Sequence, residues 1–239
     1  MTGDAEPTKR DVETVAYSPV SRFICRGTVL LYIKLFHRFR VTGLEKIPKT
    51  GAFIFAPNHA SYLDPMAVTC GNQRVIHYLA GARLFKNRFF AALIRSLGAY
   101  PVNLGRDADR AAYEAALRLL RAGEAVCLYP EGTRSADGRL LPLKGGVGRL
   151  AVATGAPIFP AVIRGNHHAW PRGKMFPTFF RPLSMEILDP LVPQEAATGG
   201  ERRAEGARLM GELERRLKAG LGEPPPEADS PSTPAPAAD

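Results

Sequence analysis

Short apolar runs alternate with longer segments of helical period throughout residues 43–188. Strand-like runs occupy residues 52–56, 75–80, 99–103, 125–129, 157–163 and 183–188, and helical patterns occupy residues 65–70, 87–97, 107–121 and 148–154. This alternation is typical of an α/β fold, with a largely parallel sheet covered by helices on both faces. Ligands of such sheets bind beyond the carboxyl ends of the strands, so a binding site is expected in the loops that follow strands.

Differences in composition predict how the chain is divided. Residues 1–17 are polar and mixed in charge, which favours a mobile leader. Residues 18–42 are predicted to form an N-terminal helical segment, and residues 43–220 the main domain, which ends in a charged helix over residues 201–217. Residues 221–239 are mostly Pro, Ala and acidic residues, a composition typical of a disordered tail.

The N-terminal helical segment has the ingredients of a membrane-associating interfacial helix. In such a helix, apolar side chains enter the acyl boundary while cations face anionic headgroups. Apolar and basic positions do not separate cleanly at helical period here, so a helix packed on the domain with solvated charges is an equal alternative. The basic residues of the segment are Arg22, Arg26, Lys34, His37, Arg38 and Arg40.

Hydropathy predicts how the chain meets a membrane. No stretch reaches the ~20 apolar residues that a spanning helix needs. No secretory signal is visible at the start of the chain. We therefore expect peripheral or monotopic attachment to the cytoplasmic side of the cell membrane.

Charge and cysteine content narrow the class of partner. The net charge of +9 favours an anionic partner: a membrane surface, a phosphorylated substrate, a nucleotide carrier or nucleic acid. Single-stranded nucleic-acid binders interleave aromatic residues with cations on a sheet, whereas the aromatic residues here lie mainly in apolar runs. We therefore expect no nucleic-acid partner. Cys25, Cys70 and Cys127 are scattered, which argues against a disulfide framework or a zinc site and favours a reducing compartment.

The stretch 53–65 carries the strongest chemical signal. An apolar run ends at Pro57, and a short polar loop then holds His59 and Asp64 before Pro65 opens a helix. On a straight helix, positions five apart would lie roughly 140° from each other. A direct contact between the two side chains therefore needs a bent connection, which the two prolines favour because each disfavours helical geometry in the residue before it.

A His–Asp pair in such a loop has a chemical use. Imidazole titrates near neutral pH and accepts a proton from an alcohol, while a carboxylate on its other nitrogen fixes the tautomer and stabilises the imidazolium. This is two-thirds of the hydrolase triad, with the place of the nucleophile left open for a substrate hydroxyl. The alternative is structural, since Asp64 as N-cap followed by Pro65 is also a good helix start.

Two later loops offer groups that bind anions. Glu131, Gly132, Thr133 and Arg134 directly follow a predicted strand, and Lys144 precedes two glycines and a helix start. The planar guanidinium of arginine can bind two phosphate oxygens at once, and the lysine ammonium acts as a point charge. Glycine lets backbone N–H groups approach an anion closely. A solvated turn with a Glu–Arg pair is the simpler alternative, and the P-loop order of residues is absent.

Four sequence blocks in order carry a family resemblance: NHASYLDP at 58–65, GAYPVNLGR at 98–106, YPEGTRS at 129–135 and GAPIFPAVI at 155–163. They resemble the four blocks of the glycerolipid acyltransferases, and the closest match is to the 1-acylglycerol-3-phosphate (lysophosphatidate) acyltransferases. The likeness covers roughly residues 43–164. The second block departs from the family pattern, because Gly105 stands where an acid or amide more often precedes the Arg.

The resemblance implies a reaction and a set of site residues. His59 and Asp64 would be the catalytic pair, and the contacts to the acceptor phosphate would come from Arg106, Glu131, Gly132, Thr133, Arg134 and Lys144. An acyl group would move from acyl-CoA or acyl carrier protein to the free hydroxyl of 1-acylglycerol 3-phosphate, giving phosphatidic acid. His59 would act as general base, oriented by Asp64, with no metal and no cofactor.

Several alternatives stay open at this point. The alternative acceptors are glycerol 3-phosphate, another lysophospholipid, a glycolipid and a lyso-ornithine lipid. A non-catalytic basic membrane-binding module would also explain the charge, and a phosphate-ester hydrolase would need a metal cluster that is not evident. Ser61 and Cys70 are rival nucleophiles for an acyl-enzyme route. His167 and His168 resemble metal ligands but fit a surface turn better.

Overall fold

The computed structural model describes residues 19–72, 74–102 and 108–223. The predicted mobile leader, the loop that contains Arg106, and all but the first three residues of the predicted disordered tail lie outside these ranges. The helices are α1 Pro19–His37, α2 Asp64–Cys70, α3 Arg88–Ser96, α4 Ala108–Arg121, α5 Gly146–Thr154, α6 Asn166–Ala169 and α7 Gly199–Leu221. The strands are β1 Arg40–Thr42, β2 Phe53–Pro57, β3 Ile76–Gly81, β4 Ala99–Val102, β5 Ala125–Cys127, β6 Ile158–Arg164 and β7 Ser184–Ile187.

The strands form one sheet in the order β1-β7-β6-β2-β5-β3-β4. From β6 to β4 all neighbours are parallel, whereas β7 runs antiparallel to β6 and β1 runs parallel to β7. The prediction of an α/β fold with a largely parallel sheet is thus confirmed. The short strand β1 was not predicted, because three residues are too few for a period of two to be recognised.

Helices cover both faces of the sheet, and β2 shows why. Every residue of β2 is buried, since Phe53 and Phe55 point to one face while Ile54 and Ala56 point to the other. A strand buried on both faces reads as a continuous apolar run, as it does in this sequence. The first face is covered by side chains of α1 and α2, and the second by side chains of α4, α5 and α7.

The strand order places three loops side by side at the carboxyl-terminal end of the sheet. β2 lies between β5 and β6 and is parallel to both, so the residues that follow these three strands emerge side by side. Asn58 secures the exit from β2, because its side chain donates to Ile163 O (3.0 Å) and accepts from Ile163 N (2.7 Å). The next residue is His59, whose position is therefore set by the sheet itself.

Helices α3 and α7 show how the structure refines the sequence pattern. Helix α3 lies within the predicted residues 87–97, but its apolar side chains are divided between core and solvent, since Ile94 is buried whereas Phe89 is 81% exposed. Helix α7 extends beyond the predicted residues 201–217 at both ends. The Thr198 side chain caps its start together with Glu201 in a reciprocal capping box.

Helix α1 is both anchored to the domain and partly exposed. Ile33 is completely buried in the core, and the Arg26 guanidinium donates to Asn72 O. The side chains of Phe23 and Leu31 are mostly exposed. No helix in the described part of the chain combines the length and apolarity required to span a bilayer.

Candidate active site

His59 and Asp64 are in direct contact. The distance from His59 Nδ1 to Asp64 Oδ2 is 2.8 Å, and Asp64 is fully buried while the His59 side chain is 16% exposed. A carboxylate accepts hydrogen bonds only, so Nδ1 carries the proton of this bond. The Nε2 atom of the neutral ring is then the free acceptor, as general-base chemistry requires.

The Asp64 carboxylate organises the whole loop. Its Oδ2 atom also accepts hydrogen bonds from Ala60 N (2.9 Å) and Ser61 N (2.8 Å). Its Oδ1 atom accepts a hydrogen bond from Asn166 Nδ2 (2.9 Å). These bonds bend the connection between His59 and Asp64, as their spacing required.

The alternative prediction for Asp64, a helix N-cap, is wrong. Leu63 holds the N-cap position of α2, and no side chain caps the helix there. Asp64 is the first helical residue, and its carboxylate points back toward the preceding loop instead of forward to the N–H groups of α2. Pro65 still occupies an early helical position, where its missing N–H costs nothing.

Glu131 lies directly behind His59 and is 3% exposed. Its Oε1 accepts a hydrogen bond from His59 N (2.6 Å), and its Oε2 accepts one from Leu141 N (2.9 Å). The next loop adds a third bond, from Ser135 N to His59 O (2.8 Å). Both carboxylate oxygens are thus engaged with backbone donors, and Glu131 holds the backbone of His59, whereas the sequence suggested that Glu131 contacts phosphate.

We predict that Glu131→Gln lowers both stability and turnover. Glutamine has one acceptor oxygen, so its NH₂ group would face one of the two buried N–H donors. We expect the free energy of unfolding to fall by about 1–3 kcal/mol, the cost of a buried donor left without a partner, and kcat to fall because the His59 backbone shifts. Urea unfolding and steady-state kinetics measure the two effects.

Glu205 offers a matched control for this prediction. It is also buried, accepts a hydrogen bond from Gln194 N and lies on α7, far along the chain from the catalytic loop. Glu205→Gln should lower the free energy of unfolding without lowering kcat. Equal kinetic effects of the two variants would contradict a specific role of Glu131 in holding His59.

The pH dependence of stability gives a second measurement on Glu131. Burial raises the pKa of Glu131 to about 7, and hydrogen bonds from Leu141 N and His59 N offset part of that rise. Since the folded-state pKa exceeds the unfolded value, the contribution of Glu131 to stability decreases as the pH rises from about 4.3 to about 7. The stability advantage of the wild type over Glu131→Gln should shrink over this range. A constant difference across the range would contradict the raised pKa.

Tyr129 fixes the plane of the catalytic imidazole. The rings of His59 and Tyr129 are stacked, with centroids 3.8 Å apart and an interplanar angle of 17°. Burial raises the pKa of Tyr129 well above its ordinary value, so the phenol is neutral and presents a flat aromatic face. The sequence analysis missed this role, although Tyr129 directly precedes the Glu131 loop at the end of a strand.

The remaining predicted phosphate contacts occupy two positions. Gly132 and Lys144 line one cavity with His59. Arg134 is not among the residues that line this cavity, and its guanidinium carbon lies 3.7 Å from the centroid of the Tyr62 ring. Thr133 is exposed. Arg106 lies outside the described residues.

Gly132 has a structural reason to be glycine. Its φ of +71° is a conformation that residues with side chains rarely adopt. A Cβ atom at this position would lie 2.8 Å from Lys144 Cε, so it would displace the lysine. Lys144 Nζ meanwhile forms an ion pair with Asp109 at 2.9 Å, and both side chains are largely exposed.

The cavity beside His59 has a volume of about 470 Å³. The imidazole, Gly132 and the Lys144–Asp109 pair line part of it, whereas much of the remaining wall is apolar. The apolar and aromatic lining includes Leu79, Ala112, Tyr113, Val147 and Leu150. The cavity thus places a proton acceptor and a cation next to a surface suited to hydrocarbon.

The two rival nucleophiles are poorly placed. Ser61 is fully buried, and its hydroxyl donates to Trp170 O (2.9 Å) and accepts from Leu63 N (3.1 Å). Its oxygen is therefore engaged in holding the loop. Burial raises the pKa of Cys70 to about 11, which disfavours the thiolate. Neither residue lines the cavity beside His59.

The other histidines form no metal site. His167 and His168 are neighbours with ring centroids 5.6 Å apart, and His77 lies 3.7 Å from Glu124. In the ranges that the structure describes, no group of three or more His, Cys, Asp or Glu side chains is arranged to hold a metal ion.

Comparisons with known proteins agree with this geometry. A family model of the acyltransferases matches residues 38–164. The 1-acyl-sn-glycerol-3-phosphate acyltransferase of Bacillus subtilis is 27% identical over 197 residues, which cover 81% of this chain and 96% of that protein. The enzyme of the same name from Limnanthes douglasii is 32% identical over 64% of this chain and 54% of the plant protein.

A solved structure has the same fold. The crystal structure of the 1-acyl-sn-glycerophosphate (LPA) acyltransferase PlsC from Thermotoga maritima matches with a TM-score of 0.62 and 26% identity, over 89% of this chain and 91% of that chain. The match to the family model extends over more than half of the chain and includes His59, Asp64 and the whole Glu131–Arg134 loop. This protein therefore belongs to the acyltransferase family.

Proposed function

We propose that the protein transfers an acyl group from acyl-CoA or acyl carrier protein to the free hydroxyl of 1-acylglycerol 3-phosphate, giving phosphatidic acid. The observation that carries this proposal is the His59 ring, which has Nδ1 on the Asp64 carboxylate and lines a largely apolar cavity together with the Lys144 cation. The relatives from Bacillus subtilis and Limnanthes douglasii are named for this reaction, which favours the same acceptor.

The proposed reaction proceeds by direct attack. His59 Nε2 takes the proton of the acceptor hydroxyl as its oxygen bonds to the thioester carbonyl carbon. The C–S bond then breaks, the ester carbonyl re-forms, and the imidazolium returns the proton to the leaving thiolate. Asp64 holds the ring and stabilises its positive charge while the proton resides there. No covalent acyl-enzyme is needed, in keeping with the engaged hydroxyl of Ser61.

Binding of the acceptor phosphate falls in this proposal to Lys144 and Arg134, together with Gly132, Thr133 and Arg106. The Lys144–Asp109 ion pair is exposed and therefore weak, so a phosphate dianion can replace the carboxylate as partner. Anchoring the phosphate holds the hydroxyl next to His59 and supplies the orientation that accelerates the attack. The apolar wall of the cavity would hold an acyl chain.

A panel of acceptors tests the proposed function. Acyl-CoA or acyl carrier protein would be supplied with 1-acylglycerol 3-phosphate, glycerol 3-phosphate, other lysophospholipids, a glycolipid and a lyso-ornithine lipid, with products identified by mass spectrometry. We expect phosphatidic acid as the main product. A higher kcat/KM with another acceptor would reassign the substrate, and no thiol release with any acceptor would favour the non-catalytic membrane-binding module.

We also propose that the protein docks on the cytoplasmic face of an anionic membrane through its N-terminal helix. Helices α1 and α3 pack against each other and expose large apolar side chains. Interfacial docking would remove these groups from water. They are Val20, Phe23, Ile24, Leu31 and Leu35 on α1 and Phe89, Phe90 and Leu93 on α3.

We predict that Phe23→Ser combined with Leu31→Ser weakens binding to vesicles by more than tenfold without changing the melting temperature. Each side chain contributes about 1.5–3 kcal/mol when fully buried in an apolar environment. Deleting the helix is a poorer experiment, because Ile33 belongs to the core. Val192→Ser is a matched control, since Val192 is exposed and adjoins Leu191, which packs in the core on the face of the sheet opposite to α1. Unchanged pelleting of the double variant would exclude α1 as the anchor.

A further inference from the structure

A basic pocket of about 440 Å³ lies at the carboxyl-terminal end of the parallel strands, where the loop that contains His59 also begins. Arg164 ends β6, which is parallel to the strand that leads to His59, and Ser184 begins the neighbouring strand β7. Arg38 and Arg40 line the same pocket from the chain segment between α1 and β1. Three arginine residues therefore line one depression.

The charge of this pocket is unbalanced. The Arg164 guanidinium is engaged, since it forms an ion pair with Glu186 (2.7 Å) and donates to Gly220 O. Arg38 and Arg40 are exposed, and neither guanidinium has a hydrogen bond or an ion pair within the described residues. The acidic group next to the pocket is thus neutralised by Arg164, and two positive charges remain free for a ligand.

Aromatic residues belong to the chain segments that lead into the pocket, two residues before Arg38 and two residues before Pro182. Phe36 of α1 contacts the rings of Phe179 and Phe180, with centroids 5.1 and 5.9 Å away, and Phe180 N donates to Phe36 O. The side chain of Phe180 is 74% exposed, and Phe176 in the same loop is similarly exposed. Cations next to exposed aromatic rings are typical of a surface that contacts lipid headgroups and the acyl boundary together.

Two residues of this surface have a strained backbone conformation. Arg38 has a φ of +47° and Phe180 a φ of +61°, and among the described residues they alone, apart from glycines, have positive φ. Residues with side chains rarely adopt this conformation. Such outliers persist where the surrounding structure enforces them, and they cluster at functional sites. Here they present one cation and one aromatic ring on adjacent chain segments.

We propose that Arg38 and Arg40 bind the headgroup of an anionic bilayer phospholipid, while Phe176, Phe179 and Phe180 enter the acyl boundary beside it. The occupant is a lipid of the membrane surface, and its phosphate lies between the two free guanidinium groups. This inference rests on the proposed membrane docking and adds to it a site that selects anionic lipid. It does not depend on the proposed acyl transfer.

Vesicle pelleting tests the headgroup site, with the full chain and vesicles of phosphatidylcholine alone or mixed with phosphatidylglycerol. Each arginine should contribute about fivefold to partitioning on the anionic vesicles. The Arg38→Gln, Arg40→Gln variant should therefore lose about 25-fold there and little on phosphatidylcholine. The control is the double variant Arg118→Gln, Arg203→Gln. It removes the same net charge from two helices that cover the face of the sheet opposite to α1. Phe180→Ser should weaken binding to both kinds of vesicle.

The possible outcomes distinguish the proposed headgroup site from the membrane docking on which it rests. A loss no larger than that of the control pair, or an equal loss on both kinds of vesicle, would overturn the headgroup site. If the wild type pelleted with neither vesicle, the membrane docking itself would be wrong. Pelleting requires no turnover, so the result is independent of whether acyl transfer occurs.

A separate observation concerns Asn166, which is 4% exposed and begins the short helix α6. Its Nδ2 atom donates to Asp64 Oδ1 at 2.9 Å. The end of the same helical turn also holds the catalytic loop, because Trp170 O accepts hydrogen bonds from Ser61 Oγ (2.9 Å) and Tyr62 N (3.0 Å). Asn166 reaches Asp64 on the side opposite to His59.

We infer that Asn166 is a positioning residue that keeps the Asp64 carboxylate aligned with His59. Without the Asn166 amide, the buried Oδ1 atom of Asp64 would lose its hydrogen-bond donor. The carboxylate could then rotate, which would move Oδ2 away from His59 Nδ1. The effect would reach the substrate only through the imidazole. It should therefore change turnover and not the affinity for either substrate.

Kinetics of Asn166→Ala test this role. We expect kcat to fall about tenfold or more, the factor for a lost hydrogen bond to a charged group, with KM unchanged. Asn72→Ala is the control, since Asn72 is equally buried but bonds Val68 O at the end of α2. The double variant with Asp64→Asn should be no slower than Asp64→Asn alone, because both act through one unit. An additive loss, or a kcat as high as that of the control, would overturn the inference.

Discussion

His59→Ala should reduce acyl transfer by at least about 10²–10⁴-fold, the contribution of a positioned general base. The reason is that this ring lines the cavity and, with Nδ1 bonded to Asp64, keeps Nε2 as its free acceptor. The fold should persist, because the bonds from His59 N to Glu131 and from Ser135 N to His59 O use backbone atoms that alanine retains. Thiol release measures the rate, and calorimetry should still detect binding of the lysophospholipid.

His77→Ala is the matched control for this experiment. His77 is a buried histidine on β3 that pairs with Glu124, and it does not line the catalytic cavity. Its removal should lower the melting temperature and leave kcat close to the wild-type value. If His59→Ala retained more than about one-hundredth of wild-type turnover, another group would have to accept the proton and the proposed mechanism would fail.

Asp64→Asn should reduce kcat by about 10⁴-fold, the scale known for loss of the orienting carboxylate in a His-based triad. An asparagine oxygen can still accept the hydrogen bonds from Ala60 N and Ser61 N, but a neutral amide does not stabilise the imidazolium. The variant should also be less stable by about 1–3 kcal/mol. Its NH₂ group would face the Nδ2 donor of Asn166, and one buried donor would lose its acceptor.

The two expected effects can be measured separately. Thermal unfolding reports the lost hydrogen bond, and kcat at saturating substrate reports the lost charge. Asp189→Asn, at an exposed aspartate that pairs with Lys46, should change neither quantity much. Intact turnover in Asp64→Asn would exclude the orienting role, whereas complete unfolding would show that this carboxylate is indispensable to the fold.

The sheet and the catalytic pair were predictable because their signals are local. Apolar runs mark the strands, and the two prolines around the His59 loop predict the bend that brings Asp64 within 2.8 Å. Local signals also explain the failures. Asp64 followed by Pro65 resembles a capped helix start, yet the Asp64 carboxylate does not cap α2. It accepts hydrogen bonds instead from the His59 ring, from Ala60 N and Ser61 N, and from the Asn166 side chain.

The partners of the catalytic loop depend on strand order, which no local pattern encodes. Asn166 is 102 residues from Asp64, and Glu131 is 72 residues from His59. They meet because β2 lies between β5 and β6, so the loops after all three strands converge at one edge. Strand order results from burying both faces of the sheet across the whole chain. The sequence thus specified the reactive pair, and the packed sheet supplied the groups that hold it in place.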